Sequence, residues 1–164
     1  MYSKAEVKAN QEAWLADLES GKARQVNGSL VDAIPGFKRA TYGYCCLGVA
    51  MKCLGYKRVA AIEFTSSLAF KCGKNQETTE LSVEARDKLG LETCIGVFEY
   101  ASLPKKLRTE LVIKHHFIAT EKTSLITLND ENIPFAMIAK VIRARPKGLF
   151  KKGYAFVKKV PSQA

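Results

Sequence analysis

Apolar positions recur mostly at helical spacing, and the residues flanking each run supply starts and stops. Ser3 followed by Glu6 predicts a capping box, after which Val7, Trp14, Leu15 and Leu18 fall on one face. Gly21 provides the stop, so residues 4–19 are expected to be helical. The next stretch, KARQVNGSLVDAIPGFKRATYGY, is broken by Asn27-Gly28 and Pro35-Gly36 into short mixed runs, which predicts one or two strands in a hairpin. YCCLGVAMKCLG then reads as a central helix over about 44–54, apolar around more than half of its circumference, with Cys46, Val49, Ala50 and Cys53 together on one face. Gly48 lies inside it. A glycine there costs about 1 kcal/mol of helix propensity relative to alanine, which points to a backbone or ligand approaching closely.

Residues 57–75 fit neither period and stay open between helix and strand. In LSVEARDKLGL, Ser82 caps, Val83, Ala85, Leu89 and Leu91 are expected inward, and Gly90 terminates. SLPKKLRTELVIKHH is a further helix, with Pro104 near its first position and Leu103, Leu107 and Leu111 spaced by four. FIATEKTSLITL holds two β-prone runs around a polar turn and predicts a small hairpin. In LNDENIPFAMIAKVIRARP, Asn132 is the expected cap, Phe135, Ile138, Ala139 and Ile142 share a face, and Pro146 is the stop. The fold class that follows is α+β: a helix-dominated single domain over 1–146 with one or two small antiparallel hairpins, and a basic, aromatic C-terminal arm or hairpin over 147–164.

A chain of 164 residues buries roughly two-thirds of its unfolded surface without staples. Apolar residues at 47% and charged residues at 26% exclude a mainly disordered chain, and no apolar run approaches the roughly 20 residues a bilayer demands. The polar opening MYSKAEVKANQEAW holds no signal segment, so a cytoplasmic protein without membrane partners is expected. Cys45, Cys46, Cys53, Cys72 and Cys94 are odd in number and lack C-x-x-C spacing, which predicts reduced thiols and neither a metal site nor a cofactor.

Charge changes the picture more. The net charge is +10, yet residues 140–164 hold eight Lys or Arg and no acid, leaving only +2 for the rest. Arg143, Arg145, Lys147, Lys151, Lys152, Lys158 and Lys159, interleaved with Phe150, Tyr154 and Phe156, combine phosphate-neutralising charge with rings able to stack on bases. Nucleic acid or an acidic host protein is the partner this predicts. Arg143 and Arg145 also suit a helix C-terminus, and the aromatic residues equally suit docking onto the chain's own core.

Other chemistry is sparser. Cys45, at the N-terminal end of its helix, is better placed than Cys46 to form a thiolate, and His115 or His116 is the candidate base for a cysteine-dependent hydrolase or transferase. The plain alternative is buried, inert cysteine, with histidines that complete a helix end. Asn129-Asp130 reads as a local turn before it reads as a magnesium site. Lys22, Arg24 and Gln25 follow a glycine, but no nucleotide-cradling glycine motif occurs anywhere in the chain.

LESGKARQ, YCCLGVAMKCLG, LSVEARDKLGL and LNDENIPFAMIAKVI, in that order, resemble a family of small proteins encoded by tailed bacteriophages and some bacteria. The likeness covers most of residues 14–142. It implies a phage origin and a life in the cytoplasm of an infected bacterial host, and it brings no catalytic residues. The function expected is that of a non-enzymatic binding protein of the host-takeover or counter-defence type. Sequestration of a small anionic nucleotide between the Cys-Cys helix and the basic residues is the alternative within binding.

Overall fold

The computed structural model describes residues 2–35, 41–60, 68–119 and 121–156. It opens with the expected capping box: the Glu6 amide donates to Ser3 Oγ at 3.2 Å and the Ser3 amide donates to Glu6 Oε2 at 2.7 Å. These bonds start α1 (Lys4–Glu19), which turns Val7, Trp14, Leu15 and Leu18 inward. Gly21, at φ +66°, carries the chain away.

Short strands β1 (Arg24–Gln25), β2 (Val31–Ile34) and β3 (Thr41–Tyr44) form a sheet in the order β1-β3-β2, with β2 antiparallel and β1 parallel to β3. The chain then enters α2 (Cys46–Cys53), buried along Cys46–Met51. Helix α1 packs against α2 and two later helices, placing Trp14 and Leu47 in the centre of one core. The Trp14 indole N–H donates to the Cys46 carbonyl at 2.9 Å, so the largest core side chain also satisfies its only polar atom.

Within the stretch left open by periodicity, of which 61–67 lie outside the described residues, the chain forms β4 (Lys57–Ala60) and β5 (Leu68–Cys72), which pair antiparallel, and β6 (Asn75–Glu77) adds antiparallel to β5. Only Phe70 and Ala69 of β5 are fully covered, which is why no clean alternation marks it. Helix α3 (Val83–Leu89) is capped by Ser82, whose Oγ accepts from the Ala85 amide at 3.1 Å, and it ends at left-handed Gly90. Val83 departs from expectation: it is 60% exposed, because a first-turn residue one step past the cap faces outward while Ala85 and Leu89 face in.

Strand β7 (Val97–Glu99) leads through a 3-10 turn, Tyr100–Ser102, into α4 (Lys105–His115), which buries Leu107 and Leu111. The hairpin expected in 117–128 does not form among the described residues. Instead β8 (Lys122–Ser124) pairs antiparallel with β7, and α5 (Leu125–Asp130) occupies the second β-prone run. Ser124 decides this locally, since its Oγ accepts from the Thr127 amide at 3.1 Å and starts a helix.

Asn132 is likewise not the cap of the closing helix. It takes φ +58°, donates its amide to the Asn129 carbonyl, and is followed by the Ile133 amide donating to Leu128, the two bonds of a Schellman ending to α5. Helix α6 (Phe135–Ala144) begins behind Pro134 without a side-chain cap and presents Phe135, Ile138, Ala139 and Ile142 to the core. Together these elements make an α+β single domain of six helices and eight strands among the described residues. None of the described helices is long and apolar enough to cross a membrane.

Candidate functional site

The twin cysteines sit where α2 begins. Cys45 is the N-cap: its backbone is extended, its amide donates to the Leu30 carbonyl at 3.2 Å, and its Sγ accepts from the Gly48 amide at 3.3 Å. Cys46 is wholly buried, and its thiol donates to the Leu125 carbonyl at 3.4 Å. The two thiols therefore differ. The Cys46 thiol and the amides of Gly48 and Leu47 hold the Cys45 thiol below its usual range against the opposing effects of burial and the Asp130 carboxylate. Burial drives the Cys46 thiol far upward, and the Cys45 sulfur adds to that. All five cysteines are free thiols.

Cys45 lines a cleft of about 350 Å³ with Ser29, Glu80, Ile95, Ile126 and Asp130. The polar groups are a thiol, hydroxyls and two carboxylates. Neither His115 nor His116 is among the lining residues: His115 ends α4, and His116 is its left-handed cap at φ +53°. The expected nucleophile thus faces acids, with no imidazole beside it to take its proton. The expected pocket for an anionic nucleotide beside α2 is also absent from this cleft, because Glu80 and Asp130 would repel the phosphate.

Asn129 resolves as structure. Fully buried, its Oδ1 accepts from the Cys46 amide at 3.0 Å and its Nδ2 donates to the Val26 carbonyl at 2.8 Å, joining α5, α2 and the loop after β1. Asp130 Oδ1 accepts from the Gly28 amide at 3.0 Å, a long-range bond that ties the end of α5 to the loop after β1 rather than a local turn bond. Gln25 Nε2 donates to the Ile133 carbonyl at 2.9 Å, so it serves the same joint and not a phosphate.

The basic C-terminal residues up to Phe156 are laid against the domain rather than held off it. Leu149 is fully buried, and Leu91 and Phe150 form a β-bridge flanked by the Glu92 amide donating to Leu149 and the Lys151 amide donating to Gly90. Buried Gln11 clamps the segment: its Nε2 donates to the Leu89 and Tyr154 carbonyls, each at 2.7 Å, and its Oε1 accepts from the Phe156 amide at 3.0 Å. Tyr154 covers Gly90 and meets Phe156 edge-on at 6.0 Å, so the two half-buried rings pack on each other.

The cations are paired as well. Arg143 grips Glu19 through two bonds of 2.6 and 2.8 Å, Lys147 meets Glu99 at 2.9 Å, and Lys151 meets Asp87 at 2.8 Å. Arg145 is the left-handed cap of α6. Lys152 is exposed beside this segment, while Lys158 and Lys159 lie outside the described residues.

A second surface escapes the periodicity argument. On α4 the side opposite the Leu107–Leu111 stripe carries Val112, 40% exposed, and Ile113, 68% exposed, next to Lys105, Lys106 and Arg108. Lys105, Arg108, Thr109, Val112 and Ile113 line a shallow groove of about 370 Å³ whose remaining residue is Tyr100. The Tyr100 ring packs edge-on against Phe117 at 5.9 Å, and its buried hydroxyl has no hydrogen-bond partner. Lys114 and Lys140 share Glu110, whereas Lys105, Lys106 and Arg108 have no carboxylate against them among the described residues. The readable signal was the adjacent apolar pair Val112-Ile113, which a single buried stripe does not accommodate.

Residues 4–146 match a family model described as a domain of unknown function (DUF8296), a span that takes in both clefts and ends just before the Gln11-clamped segment. No curated protein and no solved structure matches the chain.

Proposed function

We propose that this chain, which belongs to the DUF8296 family, is a phage-encoded protein of the host-takeover or counter-defence type, acting in the infected cell by binding an acidic surface of a host protein. The observation that carries the reading is the outer face of α4, where Lys105, Lys106 and Arg108 stand beside exposed Val112 and Ile113 with no carboxylate against them among the described residues. Cations gather an acidic partner from solution, and exposed aliphatic side chains give it apolar area to bury. The overall excess of 26 Lys and Arg over 16 Asp and Glu adds long-range attraction. The likeness of the Cys-Cys-Leu-Gly-Val and Leu-Asn-Asp motifs to phage proteins supports the origin.

Nucleic acid is the second reading, favoured by the charge alone. It loses support where Tyr154 lies over Gly90 and packs edge-on against Phe156, since rings engaged with the protein and with each other stack less readily on bases. A cysteine-dependent activity has the least support, because neither histidine faces Cys45 and its thiolate would meet like-charged carboxylates instead. Affinity purification from infected cells, with and without nuclease, separates the readings: a host protein retained after nuclease and released by salt supports the proposal, and loss of every partner on nuclease treatment overturns it in favour of nucleic acid.

A further inference from the structure

Resting on the reading above, we infer that the Tyr100–α4 groove receives a carboxylate side chain from an acidic amphipathic segment of the partner, whose apolar side chains lie over Val112 and Ile113. The chemistry of the groove selects this occupant. Tyr100 brings a hydroxyl that is buried and lacks any hydrogen-bond partner among the described residues. Buried donors without partners are rare in folded chains, and the residue that carries this one lines the groove. Lys105 and Arg108 line the same groove, and the Arg108 Nε–H is already given to the Leu103 carbonyl at 3.2 Å, which fixes the guanidinium beside the opening. An unpartnered donor and two cations on residues of one groove call for an anionic acceptor. The aliphatic rim at Val112 and Ile113 separates a protein segment from a free anion, which would leave that rim in water.

A second copy of the chain is a poor occupant. A two-fold contact through this face would set Lys105, Lys106 and Arg108 of one molecule near the same cations of the other. An acidic segment reverses that repulsion.

The test uses the full chain and fluorescence anisotropy with four labelled probes: an amphipathic peptide of Leu and Glu at helical spacing, a peptide of the same composition in scrambled order, polyglutamate, and a single-stranded oligonucleotide. The amphipathic peptide is expected to bind about tenfold more tightly than the scrambled one, and Tyr100→Phe and Ile113→Ser are each expected to weaken it about tenfold. Tyr100→Phe keeps the ring that packs on Phe117, and Ile113 is mostly exposed, so both variants are expected to keep the wild-type melting temperature. Equal binding of both peptides and polyglutamate, unchanged in either variant, overturns the groove while leaving charge-driven binding of acidic protein intact. Preference for the oligonucleotide, or no binding of any acidic probe, overturns the broader reading itself. Sedimentation that shows a dimer dissociated by Ile113→Ser overturns the assigned occupant in favour of self-association.

Discussion

Gly48 stands so close to Leu30 that a methyl group on its Cα would lie 1.6 Å from the Leu30 carbonyl oxygen. That oxygen is held in place, because it accepts from the Cys45 amide, and the Leu30 amide in turn donates to Thr78 at 2.6 Å. Helix α2 can press against the Leu30 backbone only at a residue without a side chain. Gly48→Ala is expected to cost about 3 kcal/mol or more, the upper end of overpacking, despite alanine's better helix propensity. Urea denaturation of the variant measures it, and an unchanged midpoint would mean that α2 does not lie against Leu30.

Gln11 is the residue on which the C-terminal segment depends. Replacing it with Leu keeps its volume but leaves the Leu89 and Tyr154 carbonyls and the Phe156 amide without their partners. A loss of about 2–4 kcal/mol is expected from a buried donor and acceptors left unsatisfied. Limited proteolysis is expected to cut within 147–156 first. Cleavage elsewhere, with that segment protected, would show that Leu149 alone anchors it.

Acid is expected to weaken the pairs that seat α6 and the segment after it. The Arg143 hydrogen bond holds the Glu19 carboxyl below its ordinary range against desolvation, while Asp87 is held down by Lys151 and Arg86 although burial works to raise it. Carboxyls depressed in the folded state stabilise fully above their unfolded pKa and lose that contribution as pH falls through the folded value. Stability is therefore expected to drop below about pH 5, and Glu19→Gln is expected to flatten the drop. Parallel stability curves for the variant and the wild type would remove Glu19 from this account.

The thiols should react in a defined order. Cys45 opens onto a cleft with a lowered pKa, Cys46 is sealed, and Cys53, which donates to Asp17, is pushed up to about 12 first by burial and then by that carboxylate. A small cationic thiosulfonate reagent is expected to label Cys45 faster than an anionic one of equal size, because Glu80 and Asp130 face it. Cys46 is expected to resist both until the protein unfolds. Mass spectrometry of the digested protein reads the order, and faster labelling by the anionic reagent would contradict the acidic cleft.

Local chemistry was legible and long-range pairing was not. The bounds of α1 follow from Ser3, Glu6 and Gly21 alone, and Gly48 announced a close approach because a glycine inside a buried helix needs a reason outside it. Ile126-Thr127-Leu128 looked like a strand because β propensity in a short run outweighs nothing by itself, and the cap at Ser124 three residues before Thr127 decided otherwise. The pairing of β7 with β8 crosses a helix and a turn that carry no trace of it. For the tail, counting charges located the basic residues, but the acids that meet Lys147, Lys151 and Arg143 lie on distant elements, so composition could not reveal that they are paired.

The clamp at Gln11 also orders events during synthesis. Its side chain leaves the ribosome among the earliest residues, but the carbonyl of Tyr154 emerges only after 143 more have been added, each at a fraction of a second. Until then the face of α1 that Tyr154 will cover is open in the nascent polypeptide. Closure of that seam is a step that translation cannot begin early, and it marks the interval in which the growing chain is most open to chaperones and proteases.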